Sequence, residues 1–153
     1  MRKRNKCIMD SNDYDDLKVE ARWLAKQRDS VQRYLQDEGI RHRGVAFDPA
    51  WFLAPYVSIW MVASMRTPDD IGWWAISGDL PTDYLSGAEA TDARTALAAF
   101  ARRWREVSAY MLRDENHPTV KIGPPENRRE LGDLLCRRAE IIQEWADDDE
   151  MWD

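Results

Sequence analysis

Apolar residues recur at helical spacing in three stretches of the chain. In the first, Leu17, Ala21, Leu24, Val31 and Leu35 share one face. Ser11, Asn12 and Asp13 offer N-cap oxygens ahead of it and Gly39 a stop behind it, so a helix is expected over about 13–38. In the second, Leu97, Phe100, Trp104, Val107 and Met111 alternate steps of three and four, which predicts a helix over about 91–113. In the third, Leu131, Leu134, Leu135, Ile141, Ile142 and Trp145 follow Pro124-Pro125 and predict a helix over about 126–146. Between the first two, the period changes to two. Tyr56 to Met65 is apolar on both faces, as in a strand covered on both sides, and Ile71 to Ser77 follows a turn at 67–70. A central hairpin over about 56–77 is expected.

The other segments are weaker. Val45-Ala46-Phe47 reads as a short strand, Ala50 to Ala54 as a helical turn or irregular apolar segment, and Thr119 to Ile122 as a short edge strand. Residues 77–84 read as a polar loop and Leu85 to Ala90 as a connector. The expected fold class is α+β: a small antiparallel sheet covered by three helices, in a single domain over 1–153. Residues 1–12 form a basic mobile arm and 147–153 an acidic tail in this reading.

Composition narrows the partners. Eight tryptophans in 153 residues is a high share, and tryptophan suits a core edge or an interface because its N–H wants an acceptor. The net charge of −6 argues against general nucleic-acid binding, which needs a basic face, and leaves open a basic protein partner. Two cysteines, Cys7 and Cys136, do not make a disulfide framework and fit a cytoplasmic setting. No secretory signal follows the basic start, because Asp10, Asp13, Asp15 and Asp16 interrupt it, and no membrane span is evident.

Candidate chemistry is sparse. The cysteines and the two histidines, His42 and His117, lack nucleophile or zinc-site spacing, and neither acid cluster follows the calcium-loop pattern, so no metal and no cofactor is implied. Arg102, Arg103, Arg105, Arg128, Arg129, Arg137 and Arg138 read as a solvated face paired with helix glutamates. The polar groups of 77–84 are open to two readings, turn chemistry or a binding surface, with Asp79, Asp83 and Tyr84 as the candidates. The tail, Asp147, Asp148, Asp149, Glu150 and Trp152, is open to two readings: a solubilising end, or four acids that enter a basic cleft with Trp152 as the anchor.

The segment Ile71-Gly72-Trp73-Trp74-Ala75-Ile76-Ser77-Gly78-Asp79-Leu80-Pro81-Thr82-Asp83-Tyr84 resembles the signature of an uncharacterised family of small bacterial proteins, known as a domain of unknown function. The resemblance implies a small soluble bacterial protein and carries over no catalytic residue. In general style the chain also resembles immunity proteins that neutralise interbacterial toxins. The leading expectation is a non-enzymatic interaction protein, a cytoplasmic immunity protein or inhibitor of a basic toxin or enzyme. The alternatives are a small-anion-binding or enzymatic domain using the 77–84 loop with the helix arginines, and an accessory subunit of a larger assembly.

Overall fold

The computed structural model describes residues 13–67, 69–120 and 125–152. Its elements run α1 (Leu17–Asp37), β1 (Trp51–Leu53), β2 (Val57–Ala63), β3 (Ile71–Gly78), β4 (Leu80–Ser86), α2 (Ala93–Leu112) and α3 (Arg128–Asp147). The strands form one antiparallel sheet in the order β1-β2-β3-β4, so the fold is α+β as expected.

The sheet is the middle of three layers. Val57 and Ile59 of β2, Trp74 and Ile76 of β3 and Leu85 of β4 face α2 and α3. Trp60, Val62 and Ala75, one residue out of phase, face Val31 and Leu35 of α1. This double cover is why β2 is apolar on both sides. Every fully buried indole has an acceptor: Trp60 Nε1 donates to Ser58 Oγ at 2.9 Å, Trp74 Nε1 to the Ala90 carbonyl at 3.1 Å, and Trp104 Nε1 to Asp83 Oδ2 at 3.0 Å.

Local chemistry sets the helix ends. Asp16 accepts the Lys18 N–H at 2.8 Å, so α1 begins at Leu17 rather than at 13. Its C-terminus closes with Ile40 N–H on the Leu35 carbonyl and Gly39 N–H on that of Gln36, the paired bonds of a Schellman motif. A capping box between Asp92 and Thr95 starts α2, and these backbone and side-chain bonds hold the Asp92 carboxyl below the usual range.

The α2–α3 contact is close. The buried seam of α3 runs Gly132, Leu135, Ala139, Ile142, Ala146. A Cβ on Gly132 would stand 2.8 Å from the Met111 Cβ, so only glycine allows this approach. Leu134, expected in that seam, is 51% exposed, because the seam steps by three and four through Leu135 and leaves residue 134 off the contact line.

Three sequence expectations are corrected. Residues 51–53, read as a helical turn or irregular segment, are edge strand β1, since Trp51 and Leu53 pair with Ile59 and Val57. Val45 makes only an isolated bridge to Val62, not a strand. Most of the 77–84 "loop" is strand: only Asp79 lies between β3 and β4, and Leu85, read as connector, is core. The expected arm at 1–12, Cys7, and Lys121 and Ile122 of the expected edge strand lie outside the described residues, while Thr119 and Val120 are not in a strand. Among the described residues no helix is long and apolar enough to cross a membrane.

Candidate partner-binding surface

The tight β3–β4 connection places Asp79. Gly78 has φ +148, and a Cβ there would lie 2.2 Å from the Tyr56 carbonyl oxygen, which accepts the Asp79 N–H at 2.9 Å. The β1–β2 and β3–β4 turns are thereby stitched together at one end of the sheet. The exposed Asp79 carboxylate points toward α3, where Arg138 lies 3.8 Å away.

The acidic tail is folded onto the same end. The Tyr56 ring lies 6.2 Å from that of Trp145 in α3. Trp152 turns back beneath the last helical turn, donating Nε1–H to the Trp145 carbonyl at 2.8 Å. Its ring stacks on Trp51 of β1, centroids 4.3 Å apart, and Trp51 Nε1 donates to the Met151 carbonyl at 3.2 Å. Arg94 of α2 donates to the Ala146 carbonyl and to Asp149 Oδ1, each at 2.7 Å. Asp148 accepts the Glu150 N–H at 3.1 Å, shaping a 3₁₀ turn over Asp149–Met151. Asp147, Asp148, Asp149 and Glu150 are all exposed, while Trp51, Trp145 and Trp152 are half-buried beneath them. A chain of contacts therefore joins Asp79, the aromatic residues and the four tail acids into one surface.

Asp83 and Tyr84 are elsewhere. Asp83 is 3% exposed and points inward from β4 toward α2, so it belongs to the interior and not to a surface loop. Its Oδ1 accepts the Tyr84 N–H at 2.8 Å and its Oδ2 the Trp104 indole N–H at 3.0 Å. An inward carboxylate that occupies an amide of an edge strand also blunts that edge against stray pairing. Arg103 Nε lies 3.3 Å from Oδ2, yet it is buried and not aligned for a hydrogen bond. Burial accordingly prevails over the guanidinium and raises the Asp83 pKa above the usual carboxylate value. Tyr84 is half-buried beside Tyr34 of α1, with ring centroids 6.0 Å apart.

Thus the structure groups Asp79 with Asp147, Asp148, Asp149, Glu150 and Trp152, and separates Asp83 and Tyr84 from them. Trp51, Tyr56 and Trp145 join the surface though sequence reasoning passed them over; a signal was present in the tryptophan surplus. The helix arginines do not converge with the two loop carboxylates in one pocket: Arg138 meets Asp79, and Arg103 meets Asp83 in the interior. His117 is a turn anchor, with Nδ1 accepting the Thr119 and Val120 N–H groups and Nε2 against Glu106 at 3.1 Å. Cys136 faces Glu140 on α3, and among the described residues no three His, Cys, Asp or Glu side chains gather as a metal site.

Neither the curated proteins nor the solved structures contain a match to this chain. The family model of the domain of unknown function DUF4826 matches residues 17–152, from the first residue of α1 to the stacked Trp152, and the chain belongs to that family.

Proposed function

We propose that this chain is a non-enzymatic interaction protein that binds a basic protein partner through the tail end of its sheet. Most concretely, it is a cytoplasmic immunity protein or inhibitor that occludes a bacterial toxin or enzyme. The observation that carries this reading is the joined surface: exposed carboxylates at 79 and 147–150 around Trp51, Tyr56, Trp145 and Trp152. Aromatic anchors ringed by polar groups are the usual anatomy of a binding hot spot. Asp149 and Glu150 stand on a turn already capped by Asp148 and held by Arg94, so less ordering cost remains at binding. Their shared sign would steer a basic partner and fix its orientation.

The small-anion reading is less well supported, because the arginines nearest Asp79 and Asp83 are each occupied by a carboxylate. The test is genetic and direct. The gene is deleted and the cells challenged with the products of neighbouring genes. Loss of resistance to one basic product, restored by the wild-type chain, supports the reading. Full resistance to every neighbouring product overturns the immunity assignment.

A further inference from the structure

Helix α1 is covered over only part of its length. Leu17, Ala21, Leu24, Val31 and Leu35 share one helical face, whose Val31 and Leu35 pack on the sheet. Those two are the only buried residues of α1, and Leu24 is half-buried against the same cluster. Leu17 is 78% exposed although it lies on that face, and Ala21 is exposed too. The first half of α1 therefore runs past the layer that its second half packs on. A short helical stretch is marginal in water and is stabilised mainly by burying its apolar face.

Another apolar residue stands beside this uncovered half. Arg28 donates Nε–H to the Ala46 carbonyl at 3.0 Å and Nη2–H to that of Val45 at 2.8 Å. The loop is thereby pinned to α1, with the Phe47 ring centroid 6.0 Å from the Arg28 guanidinium carbon. Phe47 is 84% exposed, and it and Leu17 are the two most exposed large apolar residues among those described. From Leu17 through Ala21 and Leu24 to the corner of Arg28 and Phe47, the line follows about 16 Å of helix.

The order of charge says what fits there. Residues 13–20 carry Asp13, Asp15, Asp16 and Glu20 against Lys18, a net −3. Residues 21–28 carry Arg22, Lys26 and Arg28 and no acid, a net +3. About a two-fold axis this helix is its own complement. An antiparallel copy lays the acidic stretch on the basic one at both ends, whereas a parallel copy opposes like charges. An axis near residues 22–23 also sets Leu24 over Ala21 of the second copy, and Leu17 over its Arg28 stem and Phe47 ring.

We propose that the uncovered face of α1, with Phe47, is a self-association surface on which a second copy of this chain docks antiparallel through its own residues 17–28. The pairing goes beyond the basic-partner reading and does not depend on it, since it uses neither Asp79 nor the tail. About three helical turns per copy bury less than a standard interface, so the dimer is weak, half formed at about 0.1 mM.

Sedimentation equilibrium of the full chain from about 0.01 to 1 mM tests this. The weight-average mass should rise from 17.9 kDa toward twice that value, and less steeply in high salt. Leu17→Ser with Phe47→Ser, both at exposed positions, should leave the circular dichroism spectrum unchanged and weaken association at least about tenfold. Lys26→Glu should weaken it about two- to fivefold, the size of one exposed charge pair. A mass that stays at 17.9 kDa over the whole range overturns the proposal. If nuclear Overhauser contacts then join the Leu17 methyls to residues 1–12, the face belongs to the start of the same chain. Association that the paired variant leaves intact also overturns the proposal, because the dimer then forms on another face.

Discussion

Asp83 offers the sharpest stability test, through Asp83→Asn. The side chain accepts two donors, the Tyr84 N–H on Oδ1 and the Trp104 indole N–H on Oδ2. An amide of the same shape has one oxygen, so one donor must face an NH₂ group. A buried donor left without its acceptor costs about 1–3 kcal/mol. Arg103 also loses its counter-charge, but its side chain is 28% exposed and can turn to water, so nothing is added for it. The expected loss of unfolding free energy near pH 7 is therefore about 1–3 kcal/mol. The pH dependence carries its own sign. Burial outweighs the opposing Arg103 and raises the folded-state pKa of Asp83, so between the unfolded and folded values the folded chain holds a proton that the unfolded chain releases. Stability from this linkage is fully present below the unfolded pKa and is lost as pH rises through the folded one. The gap between wild type and variant should thus widen on acidification toward about pH 4. Urea unfolding followed by tryptophan fluorescence at a series of pH values measures both quantities. A gap that narrows on acidification would show that the Arg103 pair outweighs burial. A loss under about 0.5 kcal/mol would refute the two-donor argument.

Trp152→Ala removes the stack on Trp51 and the bond to the Trp145 carbonyl. About 1–3 kcal/mol should go, summing a typical aromatic pair and one hydrogen bond, and hydrogen exchange at the Trp51 indole should quicken; unchanged exchange would mean the tail is held by other contacts. Gly132→Ala gains helix propensity but forces a Cβ to 2.8 Å from that of Met111; a net loss of about 1–2 kcal/mol in thermal or urea unfolding is expected, and stabilisation would show that the helices separate freely. Tyr34 has its pKa raised chiefly by burial, so its contribution is present below the ordinary phenol value and is lost as pH rises through the folded one. Tyr34→Phe should flatten the alkaline loss of stability, and an unchanged alkaline limb would contradict this.

Much of the architecture was legible in periodicity alone. The stripe from Leu97 to Met111 is buried at each position named, and two apolar faces on residues 57–62 do meet two different layers. Three features were hidden for physical reasons. Strand β4 carries Asp83 at a core position, and a carboxylate among Leu80, Pro81 and Thr82 reads as turn until Trp104 is known to bond it. Strand β1 is three residues long, too short for an alternation to register, and its Trp51 is explained only by a residue 101 positions later. The α3 seam runs through Gly132, Ala139 and Ala146, residues that a search for large apolar side chains passes over. For the candidate surface, the tail acids and Asp79 were readable as residues, but their adjacency depends on the Tyr56–Trp145 and Trp51–Trp152 contacts, which link distant parts of the chain.

Affinity purification of the full chain from its native organism tests the interaction surface most directly. Wild type is run beside a variant carrying Asp147→Asn, Asp148→Asn, Asp149→Asn and Glu150→Gln, and both are run at low and high salt. Recovery of one basic protein with wild type, weakened by salt and lost with the variant, is the expected result. Equal recovery of that protein by wild type and variant, or recovery of an acidic protein indifferent to salt, would contradict it.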